Sequence, residues 1–207
     1  MLQMQKISRE VRQKSNPSET TRRTPYSKKE LVLIAYLQGA LHDASLNKGK
    51  RYRFTQKGLE WLLFLQAVFT VLGYKSWTYR EGKREVYTLE TLASFLDFKF
   101  DPLDLVTAEE RASYIRGFFD AEGGVPHGTQ AKFYIQLVQK DRKKIVTIVQ
   151  ILALLGISCG KIHNPSMRVD PEYWRVFVST KSHKDFARKI GSQHPIKAKI
   201  LRTRMMI

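Results

Sequence analysis

The chain repeats one pattern of signals twice, and that duplication limits the folds open to it. Ser27-Lys-Lys-Glu30 and Thr107-Ala-Glu-Glu110 each set a hydroxyl three residues ahead of a glutamate, the capping-box signature of a helix start, and lie 80 positions apart. Tyr36-Leu-Gln-Gly39 and Tyr114-Ile-Arg-Gly117 follow with their glycines 78 apart, and each leads into an acidic residue, Asp43 or Glu122. Further on, Phe54-Thr-Gln56-Lys57 answers Leu137-Val-Gln139-Lys140, and Val71-Leu-Gly73 answers Leu154-Leu-Gly156, both at an offset of 83. Matches in one order at nearly one spacing describe two copies of a unit of roughly 80 residues, the size of a small domain.

Within each copy the hydrophobic period alternates between two and 3.6. Leu62, Leu65, Phe69 and Leu72 share one helical face, as do Ile145, Ile148, Leu152 and Leu155. Gly73 and Gly156 stand where a helix C-cap belongs. Ahead of these helices, Tyr52 and Phe54 alternate with Arg51, Arg53 and Thr55; Phe133, Ile135 and Leu137 alternate with Lys132, Tyr134 and Gln136. That is the pattern of half-buried strands.

Two further strand-like runs follow each helix: Tyr74 to Arg80 and Arg84 to Leu89, then Ser158 to Asn164 and Tyr173 to Ser179. A helix near Thr91 to Phe98 and another near Ser182 to Ile190 are expected to close the units. The fold expected is therefore α+β, two pseudo-symmetric αββαββα units with antiparallel sheets covered by helices on one face. The boundaries read as a basic arm over 1–26, a first half over 27–97, a linker over 98–106 containing Pro102, and a second half over 107–207.

Charge selects the partner. The 207 residues carry 36 Lys and Arg against 19 Asp and Glu, a formal net charge of +17, which predicts long-range attraction to a polyanion, nucleic acid foremost. No run approaches ~18 apolar residues and no signal-peptide pattern opens the chain, so neither a membrane partner nor export is expected; the compartment expected is the one holding the nucleic acid. The lone Cys159 excludes an internal disulfide or a Cys-Cys zinc knuckle, and the histidines show no zinc-ligand spacing. An antiparallel sheet can leave one face in solvent. That face would present Arg51, Arg53, Thr55, Arg80, Arg84, Lys132, Tyr134, Gln136, Lys161 and Arg175 to phosphates and base edges.

The segment Tyr114-Ile-Arg-Gly-Phe-Phe-Asp-Ala-Glu-Gly123 carries the chemistry. A helix C-terminus is partially negative, so Asp120 and Glu122 are unfavourable there without a cation. A divalent metal site is the reading. In the first copy, Tyr36-Leu-Gln-Gly-Ala-Leu-His-Asp-Ala-Ser45, the acid falls one residue early: Asp43 is four past the glycine, Glu122 is five, and Ala44 holds the fifth place. One residue is ~100° of helix. Asp43 serves as ligand only if the glycine contact shifts by one or the helix end unwinds; His42 is an unsuitable donor for Mg²⁺, which prefers oxygen.

These two segments resemble the signature helices of the LAGLIDADG homing endonucleases, the second clearly and the first as a divergent copy, with the resemblance running from about Ser27 to the C-terminus. It implies a monomeric, single-chain, two-motif enzyme whose signature helices pack through Gly39 and Gly117 beneath a saddle of strands that straddles a long double-stranded DNA target. It further implies metal-assisted phosphodiester hydrolysis with a staggered cut, using two or more Mg²⁺ ions, for which Mn²⁺ substitutes. Asp43 and Glu122 would hold the ions, with Ala44 and Gly123 beside them. Gln56 and Gln139 would be the glutamines near the scissile phosphates, and Lys199, with Lys197 close behind, and Lys99 the basic residues of the second and first halves. The same scaffold implies two alternatives: an RNA maturase acting on its host intron, and a DNA-binding regulator that does not cut.

Overall fold

A computed structural model describes residues 26–206 except 84 and 129. The basic arm expected over 1–26 lies outside the described residues but for Tyr26, as does Arg84.

Helix α1, Lys28–Ala40, opens with a complete capping box: Ser27 Oγ accepts the Glu30 amide at 3.3 Å and the Glu30 carboxylate accepts the Ser27 amide at 2.7 Å. Four strands and a helix build the rest of the first half: β1 Ala44–Asn47, β2 Arg51–Gln56, α2 Glu60–Val71, β3 Ser76–Arg80 and β4 Tyr87–Thr91, the strands forming an antiparallel sheet of order β1-β2-β4-β3. The second half repeats this with α3 Ala108–Glu122, β5 Gly123–Gly124, β6 Gln136–Gln139, α4 Arg142–Leu154 and β7 Trp174–Phe177, in the order β5-β6-β7. The bridges Cys159↔Val178 and His163↔Arg175 place the 159–163 segment beside β7, where β3 lies beside β4 in the first sheet. Helices α5 His183–Lys189 and α6 Pro195–Met205 complete the chain.

Both inner helices end in the same Schellman arrangement. Gly73 and Gly156 adopt φ of +75° and +74°, and the next amides, Tyr74 and Ile157, reach back to the carbonyls of Phe69 and Leu152 at 2.8 Å. Their apolar faces fill two separate cores: Phe54, Trp61, Leu62, Leu65, Phe69 and Leu89 in the first, and Ile115, Phe118, Leu137, Ile145, Ile148 and Leu152 in the second.

Helices α1 and α3 join the halves. A Cβ added to Gly39 would lie 2.0 Å from the Tyr114 carbonyl oxygen, and one added to Gly117 would lie 2.0 Å from that of Tyr36. The contact is reciprocal, as pseudo-two-fold packing requires, and only the absence of a side chain lets the backbones approach so closely. Ser113 Oγ donates to the Val32 carbonyl across the same seam at 2.7 Å.

The helix expected over Thr91 to Phe98 does not form. Thr91 ends β4, and its hydroxyl both donates to the Lys75 carbonyl at 2.9 Å and accepts the Ala93 amide at 3.2 Å. This local bonding turns the chain in place of a helical start. The run then proceeds through turns to the 3₁₀ segment Pro102–Asp104. The strand expected at Arg84 to Leu89 sits later, at Tyr87–Thr91, and the Ser158 to Asn164 strand is reduced to bridges.

Candidate functional site

The first signature helix reaches its acid by tightening. After Ala40 the chain continues as a 3₁₀ turn, Leu41–Asp43, whereas α3 stays α-helical through Glu122. A 3₁₀ residue advances ~2.0 Å and turns ~120° against ~1.5 Å and ~100° in an α-helix. Three such steps recover about the rise of one missing residue and over half of its rotation. The Gly39–Gly117 contact stays in register, so the change at the helix end alone brings Asp43 level with Glu122.

The two carboxylates come close enough to feel each other. Burial pushes the Glu122 carboxyl up to about 7, with the Asp43 charge adding to the rise and Lys197 and Lys140 opposing it. Burial likewise pushes Asp43 up to about 6, opposed by a hydrogen bond from Gln56 and by the Lys197 charge. Gln56 shares the inward phase of Phe54 on β2 and donates Nε2 to Asp43 Oδ2 at 2.6 Å. Gln139 holds the equivalent inward place on β6 but bonds elsewhere: its Nε2 lies 3.1 Å from Nδ1 of His42, and its Oε1 accepts the Lys140 amide at 2.7 Å.

Lys197 is the cation at this centre. Its Nζ donates to the Phe119 and Asp120 carbonyls at 2.8 and 2.7 Å, capping the negative end of α3. Burial lowers its ammonium to about 8 against the opposing charges of Asp120, Asp43 and Glu122. Lys199 lies two residues on, exposed, ~200° around α6. Lys99 is also exposed, on the rim of a cavity of about 350 Å³ that reaches His42 and Gln139. Ala44 and Gly123 open β1 and β5, at corresponding places one residue beyond each acid.

Asp120 departs from the expectation that it joins Glu122 at the metal. It is 1% exposed and fully engaged: Tyr36 donates to it at 2.7 Å, the Gln193 amide at 2.9 Å, and Ser192 Oγ also bonds it. Trp61 Nε1 in turn donates to Tyr36 at 2.8 Å. His42, at the same distance past its own glycine, bonds the Tyr114 hydroxyl at 2.7 Å and packs edge-on to Phe118. Each tyrosine three residues before a glycine thus crosses to the residue three past the opposite glycine. These pairs are polar pins of the interface, a role that the two −3 tyrosines signal in the sequence.

The donors present suit a hard cation: two carboxylates, neighbouring backbone carbonyls and a glutamine amide, all oxygen-bearing. Among the described residues, no group of three or more His, Cys, Asp or Glu could hold a metal ion. An ion here would complete its shell with water and substrate oxygens, the usual habit of Mg²⁺ in phosphate chemistry.

The outer sheet faces carry most of the expected polar array. Arg53 pairs in register with Glu90, and Thr55 with Thr88, on the face away from the core. Arg51 forms an ion pair with Glu90 at 2.8 Å, and Arg53 with Glu81. On the second sheet Gln136 faces Phe177 and Val138 faces Arg175. Tyr134 packs edge-on to Phe177, while Lys132 and Lys161 are exposed. Arg80, through its register with Tyr87, has the phase of Leu89 and Phe54, opposite to that of Arg53, and is exposed at the end of β3. The alternation in Tyr74 to Arg80 was legible, but not which phase faces the helices.

Residues 109–191 match the family of LAGLIDADG-like domains. No curated protein matches the sequence. Among solved structures, I-DmoI in complex with DNA and Mn is similar at 21% identity and TM-score 0.60, over 80% of this chain and 99% of that one. I-DmoI with DNA and Ca gives 20% identity and TM-score 0.62, over 84% and 98%. Full-length DUF199/WhiA from Thermatoga maritima gives 15% identity and TM-score 0.61, over 89% of this chain and 64% of that one. At such identities the likeness is one of fold, and it spans both halves.

Proposed function

We propose that the chain is a single-chain, two-motif protein of LAGLIDADG type, a reading supported by the match over 109–191 and the shared fold, and that it is a site-specific double-strand DNA endonuclease that cuts by metal-assisted phosphodiester hydrolysis. The observation that carries the reading is the convergence of Asp43 and Glu122, from the ends of two pseudo-symmetric helices, beside the half-buried Lys197. A carboxylate pair left unshared at that place costs folding energy, as the raised protonation ranges of both groups record. The Gln56 amide on Asp43 offsets only part of that penalty, and a site that keeps the remainder is organised for a ligand.

Asp43 and Glu122 would hold Mg²⁺, with Mn²⁺ as a substitute; solved relatives contain DNA with Mn, Mg or Ca. A bound divalent ion supplies an ionised water at neutral pH and neutralises charge developing on the phosphate. The remaining work falls to the chain itself. Gln56 fixes one oxygen of Asp43, leaving the carboxylate aimed. Lys197, anchored on two carbonyls, offers a fixed positive charge to a phosphate oxygen. One carboxylate from each half implies one strand per half and a staggered cut. Two halves of different sequence imply a target that is only weakly palindromic.

The division into halves at 27–97 and 107–207, joined through 98–106, is part of the same proposal, as is action by a monomer. Among the described residues no helix is long and apolar enough to cross a membrane. Digestion of intron-free genomic DNA by the purified protein, with and without Mg²⁺, followed by sequencing of all new ends, tests the reading. Rare, staggered, metal-dependent ends at one site are expected. Tight binding without cutting would leave a DNA-binding regulator, and rescue of intron splicing in place of cutting would identify an RNA maturase.

A further inference from the structure

The two saddle faces are built from different chemistry, although the backbone repeats. On the first, Glu90 lies at the centre with its side chain 2% exposed. It accepts from Asn47 Nδ2 at 2.6 Å and the Tyr79 hydroxyl at 3.1 Å, and pairs with Arg51. Those three residues cover it. Arg51 also stands over the Trp77 ring at 6.0 Å, and Arg53 is paired with Glu81. Two arginines therefore meet two carboxylates, so the guanidinium charges at the centre of this face are neutralised in place.

At the matching register positions of the second sheet, Gln136 replaces Arg53 and Phe177 replaces Glu90. Arg175 lies over Tyr173 and Phe177 at 5.4 and 5.6 Å, and among the described residues no carboxylate pairs with it. Lys132, four residues before β6, and Lys161, in the edge segment bridged to β7, are exposed, and His163 stacks on Phe177 at 5.8 Å. This face is a cationic and aromatic surface without an acid at its centre.

The consequences for a duplex differ. An unpaired cation gains affinity from any phosphate by counterion release. An arginine already neutralised by a buried glutamate gains little from phosphate, yet its guanidinium fork is held in one orientation, the condition for bidentate reading of a guanine edge. A wrong base then leaves a rigid donor unsatisfied, which costs about 1–3 kcal/mol per base pair.

We propose that the two sheets divide recognition: the first discriminates bases through Arg51 and its neighbours held on Glu90, and the second supplies sequence-tolerant attachment through Arg175 and the free lysines. The target class that follows is an asymmetric duplex, stringent in one half-site and permissive in the other. The inference rests on the endonuclease reading, because it takes double-stranded DNA as the ligand.

The test is selection of bound duplexes from a randomised DNA library by the full-length protein, with parallel titration of one fixed, unrelated duplex across salt concentrations. Wild type is expected to enrich a motif concentrated in one half. Glu90→Gln should flatten that half alone, bind the unrelated duplex several-fold tighter, and steepen its log-log salt slope by up to about one. Glu81→Gln, which frees Arg53 at an exposed position, should tighten unrelated binding in the same direction without touching a buried group. Arg175→Ala should weaken every duplex alike and lower the slope by about one. Preferences spread evenly over both halves, or unchanged salt slopes in both glutamate variants, would overturn the division of roles. A wild type that enriches no motif would instead sink the site-specific endonuclease reading itself.

Discussion

At the scale of single residues, the acidic pair and its lysine hold the account together, and pH reveals them. Glu122 is raised by burial to about 7 from an ordinary 4.5, so without metal it stabilises the fold below pH ~4.5, and that contribution is lost as pH rises through about 7. Glu122→Gln is therefore expected to stabilise the metal-free protein at pH 8 by on the order of 2–3 kcal/mol, seen as a higher melting temperature, and to change little at pH 4. Melting curves at both pH values check this; equal effects at the two would contradict it. His42 runs the other way: burial lowers it to about 3, so its contribution is lost as pH falls below 6.5, and the pH 4 comparison must be made against wild type at pH 4. Lys197→Met should slow metal-dependent cutting by about 10²-fold, while Lys199→Ala stays within about twofold. The sequence made Asp43 and Glu122 legible because acids at helix ends are electrostatically conspicuous. It did not separate Lys197 from Lys199, since a two-residue shift on a helix shows no signal until the face that packs is known.

At the scale of elements, the glycine seam is the feature that admits no substitute. The nearest atoms to a Cβ on Gly39 or Gly117 are backbone, at 2.0 to 3.0 Å, and backbone cannot rotate aside as a side chain can. Gly39→Ala is expected to destabilise by about 3 kcal/mol or more, whereas Gly128→Ala, with nothing within 4 Å of the added methyl, should be near neutral. Chemical denaturation of both variants is the check, and equal midpoints would contradict the packing. Periodicity located α2, α4 and β2 because their apolar faces are regular and both helices stop at a glycine of positive φ. It misplaced a helix at Thr91 to Phe98, where Ala93 and Leu96 supply buried apolar residues but the Thr91 hydroxyl diverts the backbone. It also left α6 unannounced despite Pro195 at its first turn, because its burial in the described residues rests on few positions, Leu201 chief among them.

At the scale of the whole molecule, a duplicated fold joined along one helix pair brings two unlike sheets to a shared acidic centre. With a formal charge of +17, affinity for duplex DNA should fall by about 10³-fold or more between 50 and 200 mM salt if six or more phosphates are contacted; a flat titration would contradict a basic saddle. Duplication and charge were both readable from the chain, and so was the general architecture. The inequality of the halves was not, because the Arg51–Glu90 and Arg53–Glu81 pairs join strands distant in sequence, and only register brings them together. The central claim is that Asp43 and Glu122 form one metal-dependent cutting centre with a carboxylate from each half. Its most direct measurement is the rate of Mg²⁺-dependent cutting of the selected target by wild type, Asp43→Asn and Glu122→Gln, each at matched DNA occupancy. The account predicts that either substitution abolishes double-strand cutting while DNA affinity holds within about threefold. Full cutting by Asp43→Asn, or loss of DNA binding in step with cutting, would contradict it.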